Sequence, residues 1–185
     1  MKIVAVLGSP RPTGNSNTLA QRFLETARQQ GAETQVFMVN QMQFKGCQGC
    51  GSCKTKTDYC VVEDDLTPVY DAIREADLLL LASPVYFGDL SGQLKCFFDR
   101  FFAFADSDFS SRLRPGKKAV VILTQGHPDG AMFADIFPRY QQWFNMLGFA
   151  ETHLVRGLGL GDPGAAAARP ELLAQAADAA RQVAP

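Results

Sequence analysis

The chain alternates short apolar runs with amphipathic segments along its whole length. Lys2–Leu7 (KIVAVL) is nearly all apolar and rich in β-branched residues, and Gly8 ends it, which predicts a strand buried on both faces. Behind Gly14-Asn15-Ser16, the residues Leu19, Ala20, Phe23, Leu24 and Ala27 recur at helical spacing until Gly31. Residues 34–39 predict a second strand. Thr67-Pro68 opens a short helix that runs to Glu75, and the LLLLA of residues 78–82 predicts a third strand. Leu94, Phe97, Phe98, Phe101 and Phe102 fall at i, i+3, i+4, i+7 and i+8, the stripe of an aromatic helix. Residues 119–123 predict a fourth strand. Phe133, Ile136, Phe137, Tyr140, Phe144 and Leu147 mark a further helix face, residues 149–155 a fifth strand, and residues 171–183 a last helix.

Strands alternating with helices predict an α/β fold, a parallel sheet with helices on both faces. Neither a repeat nor a linker interrupts the pattern, so residues 1–185 are expected to form one domain. Residues 40–65 fit no element, and an irregular loop that long is usually functional.

Composition narrows the function. Apolar residues make up 46%, charged residues 20%, and the net charge is -1, so no charge excess steers the protein toward nucleic acid or an anionic membrane. The opening MKIVAVLGSP is too short an apolar run for a signal peptide, and no segment approaches the roughly 20 apolar residues of a membrane span. A cytoplasmic protein with reduced thiols is expected.

In an open parallel sheet, ligands bind beyond the carboxyl ends of the strands. The first strand leads into Gly8-Ser-Pro-Arg-Pro-Thr-Gly-Asn-Ser-Asn-Thr18, a run of small residues, hydroxyls and amides before a helix start. That combination suits a phosphate, with Arg11 able to add a charge-assisted bond. It lacks the Gly-Lys-Ser/Thr of a Walker loop and the G-x-G-x-x-G of a dinucleotide turn, and Asn40 stands where an acid would hold an NAD ribose. The third strand leads into Ser83-Pro-Val-Tyr-Phe-Gly88, whose aromatics suggest the edge of a flat ligand. The fourth leads into Thr124-Gln-Gly-His-Pro-Asp-Gly130. His127 stands alone in that loop and reads as solvated or capping. A phospho-receiver domain would need acids after strands one and three, where this chain has Gly8-Ser9-Pro10 and Ser83-Pro84-Val85.

SPRPTGNSNTL, SPVYFGDLSGQLKCFFDR and a C-x2-C-x2-C-x6-C run followed by Asp64-Asp65 resemble the NAD(P)H-dependent FMN reductase and iron–sulfur flavoprotein families. The resemblance implies a flavodoxin-like three-layer sandwich whose five-stranded parallel sheet has the order 2-1-3-4-5. It implies FMN, its phosphate held by Ser9, Arg11, Asn15, Ser16, Asn17 and Thr18. Pro84, Val85, Tyr86, Phe87 and Gly88 would lie along the isoalloxazine, and Thr124, Gln125 and Gly126 would approach its other edge. No catalytic side chain is expected, because a flavin carries its own redox chemistry. The expected activity is an oxidoreductase in which NAD(P)H reduces a small acceptor: a quinone, flavin, nitro or azo compound, or metal ion. The alternative is an iron–sulfur flavoprotein passing electrons between protein partners.

Four of the five cysteines, Cys47, Cys50, Cys53 and Cys60, lie within fourteen residues. Three at x2 spacing among glycines suit successive thiolates facing one cubane, whereas zinc sites usually pair two knuckles across a longer loop. A 4Fe-4S cluster on these four, four idle thiols, and zinc all stay open. Cys96 reads as a small buried apolar residue. The five phenylalanines of residues 94–104 exceed what one helix stripe needs for its own core, which predicts a homodimer or homotetramer through that helix, as the resemblance also implies.

Overall fold

The computed structural model describes residues 1–184. Its elements in chain order are β1 (Lys2–Leu7), α1 (Asn15–Gln29), β2 (Glu33–Met38), α2 (Ser52–Thr55), α3 (Thr67–Glu75), β3 (Leu78–Tyr86), β4 (Asp89–Leu90), α4 (Gly92–Asp99), β5 (Lys118–Thr124), α5 (Ile136–Met146), β6 (Glu151–Gly157) and α6 (Pro170–Val183). The five long strands pair in parallel in the order β2-β1-β3-β5-β6. This is the expected 2-1-3-4-5 path once the short β4 is set aside, and the three-layer sandwich follows from it.

Period-two alternation assigns the core of each layer. Val4 and Val6 of β1, with Leu79 and Leu81 of β3, pack with Ile73, Phe97 and Phe144 beneath α3, α4 and α5. Ile3, Ala5 and Leu7, with Leu78 and Leu80, pack on the opposite face with Phe23 of α1 and Ala176 of α6. Both faces of the central strands are therefore covered, which is why β1 and β3 read as unbroken apolar runs.

Three expectations need correction. The sheet has six strands, because β3 runs on to Tyr86 and folds back through Phe87-Gly88 into β4, with Val85 opposite Leu90 and Tyr86 opposite Asp89. Pro84 ends no strand: it sits in register with Thr124 in the parallel ladder. The aromatic helix also ends early. After Asp99 the chain tightens into a 3-10 turn over Arg100–Phe104, which turns Phe101 and Phe104 inward and Phe102 out. Phe97, Phe98, Phe101 and Phe104 are buried in the chain's own core, so the surplus aromatic surface expected for an oligomer contact is not there, and of the five only Phe102 is exposed. Cys96, expected inside, is exposed. No helix among the described residues is long and apolar enough to cross a membrane.

Candidate cofactor site

The loop after β1 lies against the start of α4 and curls on itself because its glycines permit it. A Cβ on Gly8 would stand 2.7 Å from the Leu94 Cβ, and one on Gly14 would stand 2.3 Å from the Ser9 Oγ. Gly14 is the N-cap of α1 and offers no side chain to the helix amides. The first-turn N–H groups, which have no intrahelical partner, are thus not quenched by a cap. Ser16, only 1% exposed, has a buried Oγ with no hydrogen-bond partner at this same helix start. An unpaired buried hydroxyl is costly, and an anion seated on the helix start would satisfy it. The loop's curvature is fixed from within: Ser9 Oγ accepts from the Arg11 amide at 3.2 Å, and Asn17 Nδ2 donates to the carbonyls of Arg11 and Pro12 at 3.1 and 3.3 Å. Thr18 Oγ1 donates to Gly14 O, and Arg11 lies exposed above the loop.

Asn15 has another task. Its Nδ2 donates to Leu160 O at 3.1 Å and Asp162 O at 2.9 Å, while its Oδ1 accepts from the Ala166 amide at 2.9 Å. The side chain expected on a phosphate instead ties the loop after β6 to the start of α1.

The loops after β3 and β5 stand beside it. Ser83 Oγ accepts from the Ser91 amide at 2.9 Å, and Ser91 Oγ donates to Gly8 O at 2.7 Å, so one buried hydroxyl pair joins the β1 and β3 loops. The Phe87-Gly88 turn has positive φ at both residues, 48° and 92°, as a type I′ hairpin requires. Glycine accepts this freely; phenylalanine does not. Phe87 nevertheless holds the position with its ring wholly exposed, and Tyr86 beside it is exposed as well. The hairpin is anchored through Asp89, whose carboxylate accepts from the Tyr140 hydroxyl at 2.8 Å and from Arg139 at 3.2 Å. Burial alone would raise the Asp89 pKa, but the Leu90 amide, Tyr140 and Arg139 outweigh it and hold it below the usual carboxylate value.

After β5, Thr124 and Gln125 are buried and residues 126–130 are exposed. Gln125 Nε2 donates to His127 O and Asp129 O, and its Oε1 accepts from Arg156 at 2.7 Å. Gln125 therefore shapes the loop with its side chain, leaving Gly126 at the surface. His127 uses Nδ1 to accept from the Asp129 amide, the capping role expected of it.

The cysteine loop is held by polar ties rather than by a ladder. Cys47, Cys50, Cys53 and Cys60 all line one cavity of about 80 Å³, together with Arg100 and Phe102. Gly49 and Gly51 take positive φ around Cys50. All five cysteines are free thiols. Burial raises the pKa of Cys53, while the Ser52 amide lowers that of Cys50. No three Cys, His, Asp or Glu side chains among the described residues converge closely enough to grip a single ion. Four thiols spread around a cavity suit a multi-atom cluster better than one tetrahedral zinc, whose ligands lie only ~2.3 Å from the metal. Arg112 donates to Cys53 O at 2.6 Å, Lys54 donates to the carbonyls of Phe102 and Ala105, and Arg74 donates to Asp58 O at 2.7 Å.

Arg100 was not singled out by its sequence context. Its Nη1 lies 2.7 Å from both carboxylate oxygens of Asp64 and 3.2 Å from Lys45 O, and its Nη2 lies 2.7 Å from Val62 O. An arginine at the end of an amphipathic helix reads as solvent-facing; only the 3-10 turn makes it internal. The Ser91 hydroxyl could have been found, since Ser-Gly before an apolar helix pattern is an N-cap signal. A groove of about 530 Å³ between α4 and α5 is lined by Phe98, Phe102, Trp143 and Met146 among others, and by none of the predicted flavin residues.

Residues 1–157 match the family described as NADPH-dependent FMN reductase. An iron–sulfur flavoprotein of Methanosarcina thermophila is 34% identical over 116 residues, which is 63% of this chain and 60% of that protein. Matches to two further archaeal iron–sulfur flavoproteins cover 51% and 45% of their lengths, so the chain spans about half the length of these curated relatives. Among solved structures, an NAD(P)H:quinone oxidoreductase from Methanothermobacter marburgensis superposes with a TM-score of 0.76 at 20% identity, covering 98% of this chain and 96% of the other. An FMN-dependent NADH-azoreductase from Bacillus anthracis, in complex with FMN, gives 0.73 at 15% identity, with 100% of both chains covered. These two likenesses establish the fold.

Proposed function

The chain belongs to the NADPH-dependent FMN reductase family, and from that premise we propose that it is an FMN-dependent oxidoreductase using NAD(P)H to reduce a small acceptor. The acceptor class is a quinone, flavin, nitro or azo compound, or metal ion. The observation that carries the reading is the buried, unpaired Ser16 hydroxyl at the uncapped start of α1, in a loop that already closes on itself through Ser9 and Asn17. That site asks for an anion with several acceptor oxygens.

In this reading the Ser16 hydroxyl and the first amides of α1 hold the FMN phosphate, Ser9, Asn17 and Thr18 shape the loop around it, and Arg11 closes over it. Asn15 acts through its backbone, its side chain holding residues 160–166 against the loop. Pro84–Gly88 lie along the ring, positioned by Asp89, Tyr140 and the Ser83–Ser91 pair. Residues 124–126 approach the other edge, with Gln125 and Arg156 fixing the loop. Bound FMN would supply hydride and single-electron chemistry, which is why no side chain of this chain need act as acid or base.

Titrating the apoprotein with FMN tests this. Ser16→Asp places a negative charge at the helix start and should abolish binding by repulsion, with secondary structure unchanged. Wild-type affinity in that variant overturns the assignment.

The second reading, an iron–sulfur flavoprotein passing electrons between protein partners, is favoured by four cysteines lining one cavity and by the names of the relatives. Bleaching of the flavin by NADPH alone supports the first reading. Bleaching only by a reduced protein partner supports the second. We extend the proposal to a cytoplasmic location, in keeping with five free thiols, and to a homodimer or homotetramer. The exposed aromatics Phe102, Phe109 and Trp143 support such an assembly.

A further inference from the structure

Arg100 is among the largest fully buried side chains. It is 2% exposed, and it sits on the wall of the four-cysteine cavity. Its guanidinium bonds to both stems of the cysteine loop at once: Lys45 O on the entering strand of chain, Val62 O and the Asp64 carboxylate on the leaving one. Asp64 in turn accepts from the Lys45 amide at 3.1 Å and the Leu66 amide at 3.0 Å, so the two stems are crossed by a single ion pair. The Tyr70 ring backs the guanidinium at 5.1 Å. One feature of this arrangement has no structural partner: Arg100 Nε is buried and makes no hydrogen bond.

A buried guanidinium N–H left without an acceptor is expensive, and arginine is otherwise chosen for sites where all its donors can be used. The unspoken-for donor belongs to a residue of a cavity that is also lined by four cysteines and Gln48. A cluster bonded by four thiolates is an anion with sulfur acceptors, so it would supply both the missing partner and the counter-charge.

We infer that Arg100 is the positioning residue of the cysteine cavity: it joins the two stems so that the four thiols face one space before metal arrives, and it lends a positive charge to the occupant. The charge half rests on the iron–sulfur reading; the clamp half does not. Hydrogen bonds to the cluster sulfurs and nearby positive charge favour the reduced, more negative state, so loss of the arginine charge moves the midpoint potential to more negative values.

The test compares wild type, Arg100→Gln and Arg100→Lys. In metal-free protein, amide exchange over residues 46–62 should quicken about tenfold or more in Arg100→Gln while β1, β3 and β5 keep their protection, marking a local opening. Arg100→Lys keeps the charge without the fork and should show an intermediate rate. After anaerobic reconstitution with ferrous iron and sulfide, wild type should hold about four irons. Arg100→Gln should lose them faster to a chelator and titrate at a more negative potential, and Arg100→Lys should keep a potential near wild type. Unchanged loop exchange in Arg100→Gln overturns the clamp. Unchanged iron loss and potential overturn the charge role. A wild type that takes up no iron overturns the iron–sulfur reading and the charge role together, while loop exchange still decides the clamp.

Discussion

The Arg100 guanidinium meets the Asp64 carboxylate at 2.7 Å from both oxygens, with the arginine side chain fully buried and the aspartate almost so. Burial would raise the Asp64 pKa, but Arg100 and the amides of Lys45 and Leu66 pull it below the usual value. Removing the aspartate alone leaves a buried cation, so Asp64→Ala should cost about 3–5 kcal/mol in chemical denaturation, whereas Asp64→Leu combined with Arg100→Met should cost clearly less. Because the folded pKa is depressed, the contribution of Asp64 is complete above its unfolded value near 3.8 and disappears as pH falls through the lower folded one. Equal losses for the single and double variants would contradict this.

Lys117 is 3% exposed and donates to Arg74 O and Ala76 O at the end of α3. Burial, with a smaller push from Arg114, lowers its pKa from 10.5 to about 8. Between these values the unfolded chain binds the extra proton, so stability rises with pH from about 8 to 10.5, by roughly 3 kcal/mol at most. Lys117→Met, which leaves those carbonyls unpaired, should be less stable by about 1–3 kcal/mol at pH 8. The gap in Tm between wild type and variant should widen toward pH 10. A constant gap would show that Lys117 titrates normally.

Phe87 stands at φ 48° with no burial to recompense it. Phe87→Gly should relieve about 1–3 kcal/mol of backbone strain, less the glycine's own entropy, and so raise the Tm of the apoprotein. If the ring serves the flavin edge, the same variant should bind FMN about tenfold more weakly. A stabilised protein with unaltered FMN affinity would make Phe87 irrelevant to the cofactor.

Asn15→Ala should cost about 1–3 kcal/mol, since it removes three side-chain bonds and leaves Leu160 O and the Ala166 amide without a partner. Its effect should also be visible at a distance: hydrogen exchange in residues 160–166 should quicken as much as in residues 9–18. Quickening confined to residues 9–18 would mean that the tie does not hold the later loop.

The sheet was legible because Lys2–Leu7 and the LLLLA run carry the unbroken apolar signature of strands covered on both faces. Strand ends were not: Pro84 looks like a breaker, yet it falls in register with Thr124, where the ladder tolerates it. The tightly curled loop after β1 was legible from residue types, although nothing local distinguishes Asn15 from Ser16. Their difference in role is set by residues 160–166, about 145 positions away. The burial of Arg100 and the exposure of Phe102 depend on a change from α to 3-10 winding near Asp99, and helical periodicity carries no signal for that. Four phenylalanines were read as surplus surface because the aromatic packing that absorbs them, Phe97 on Tyr70 at 5.4 Å and Phe98 on Tyr140 at 4.8 Å, comes from elements distant in sequence.

The bond from Asn15 to the Ala166 amide has a consequence for biogenesis. β1 can pair with β2 and β3 as soon as residue 82 has left the ribosome, but the partners of Asn15 emerge some 150 residues after it does. At 5–20 residues per second the nascent chain carries an unbraced loop for roughly 7–30 seconds. On the proposed assignment of this loop to the FMN phosphate, cofactor loading is a late event, and a ribosome stalled before residue 160 would display a folded central sheet that cannot yet retain its ligand.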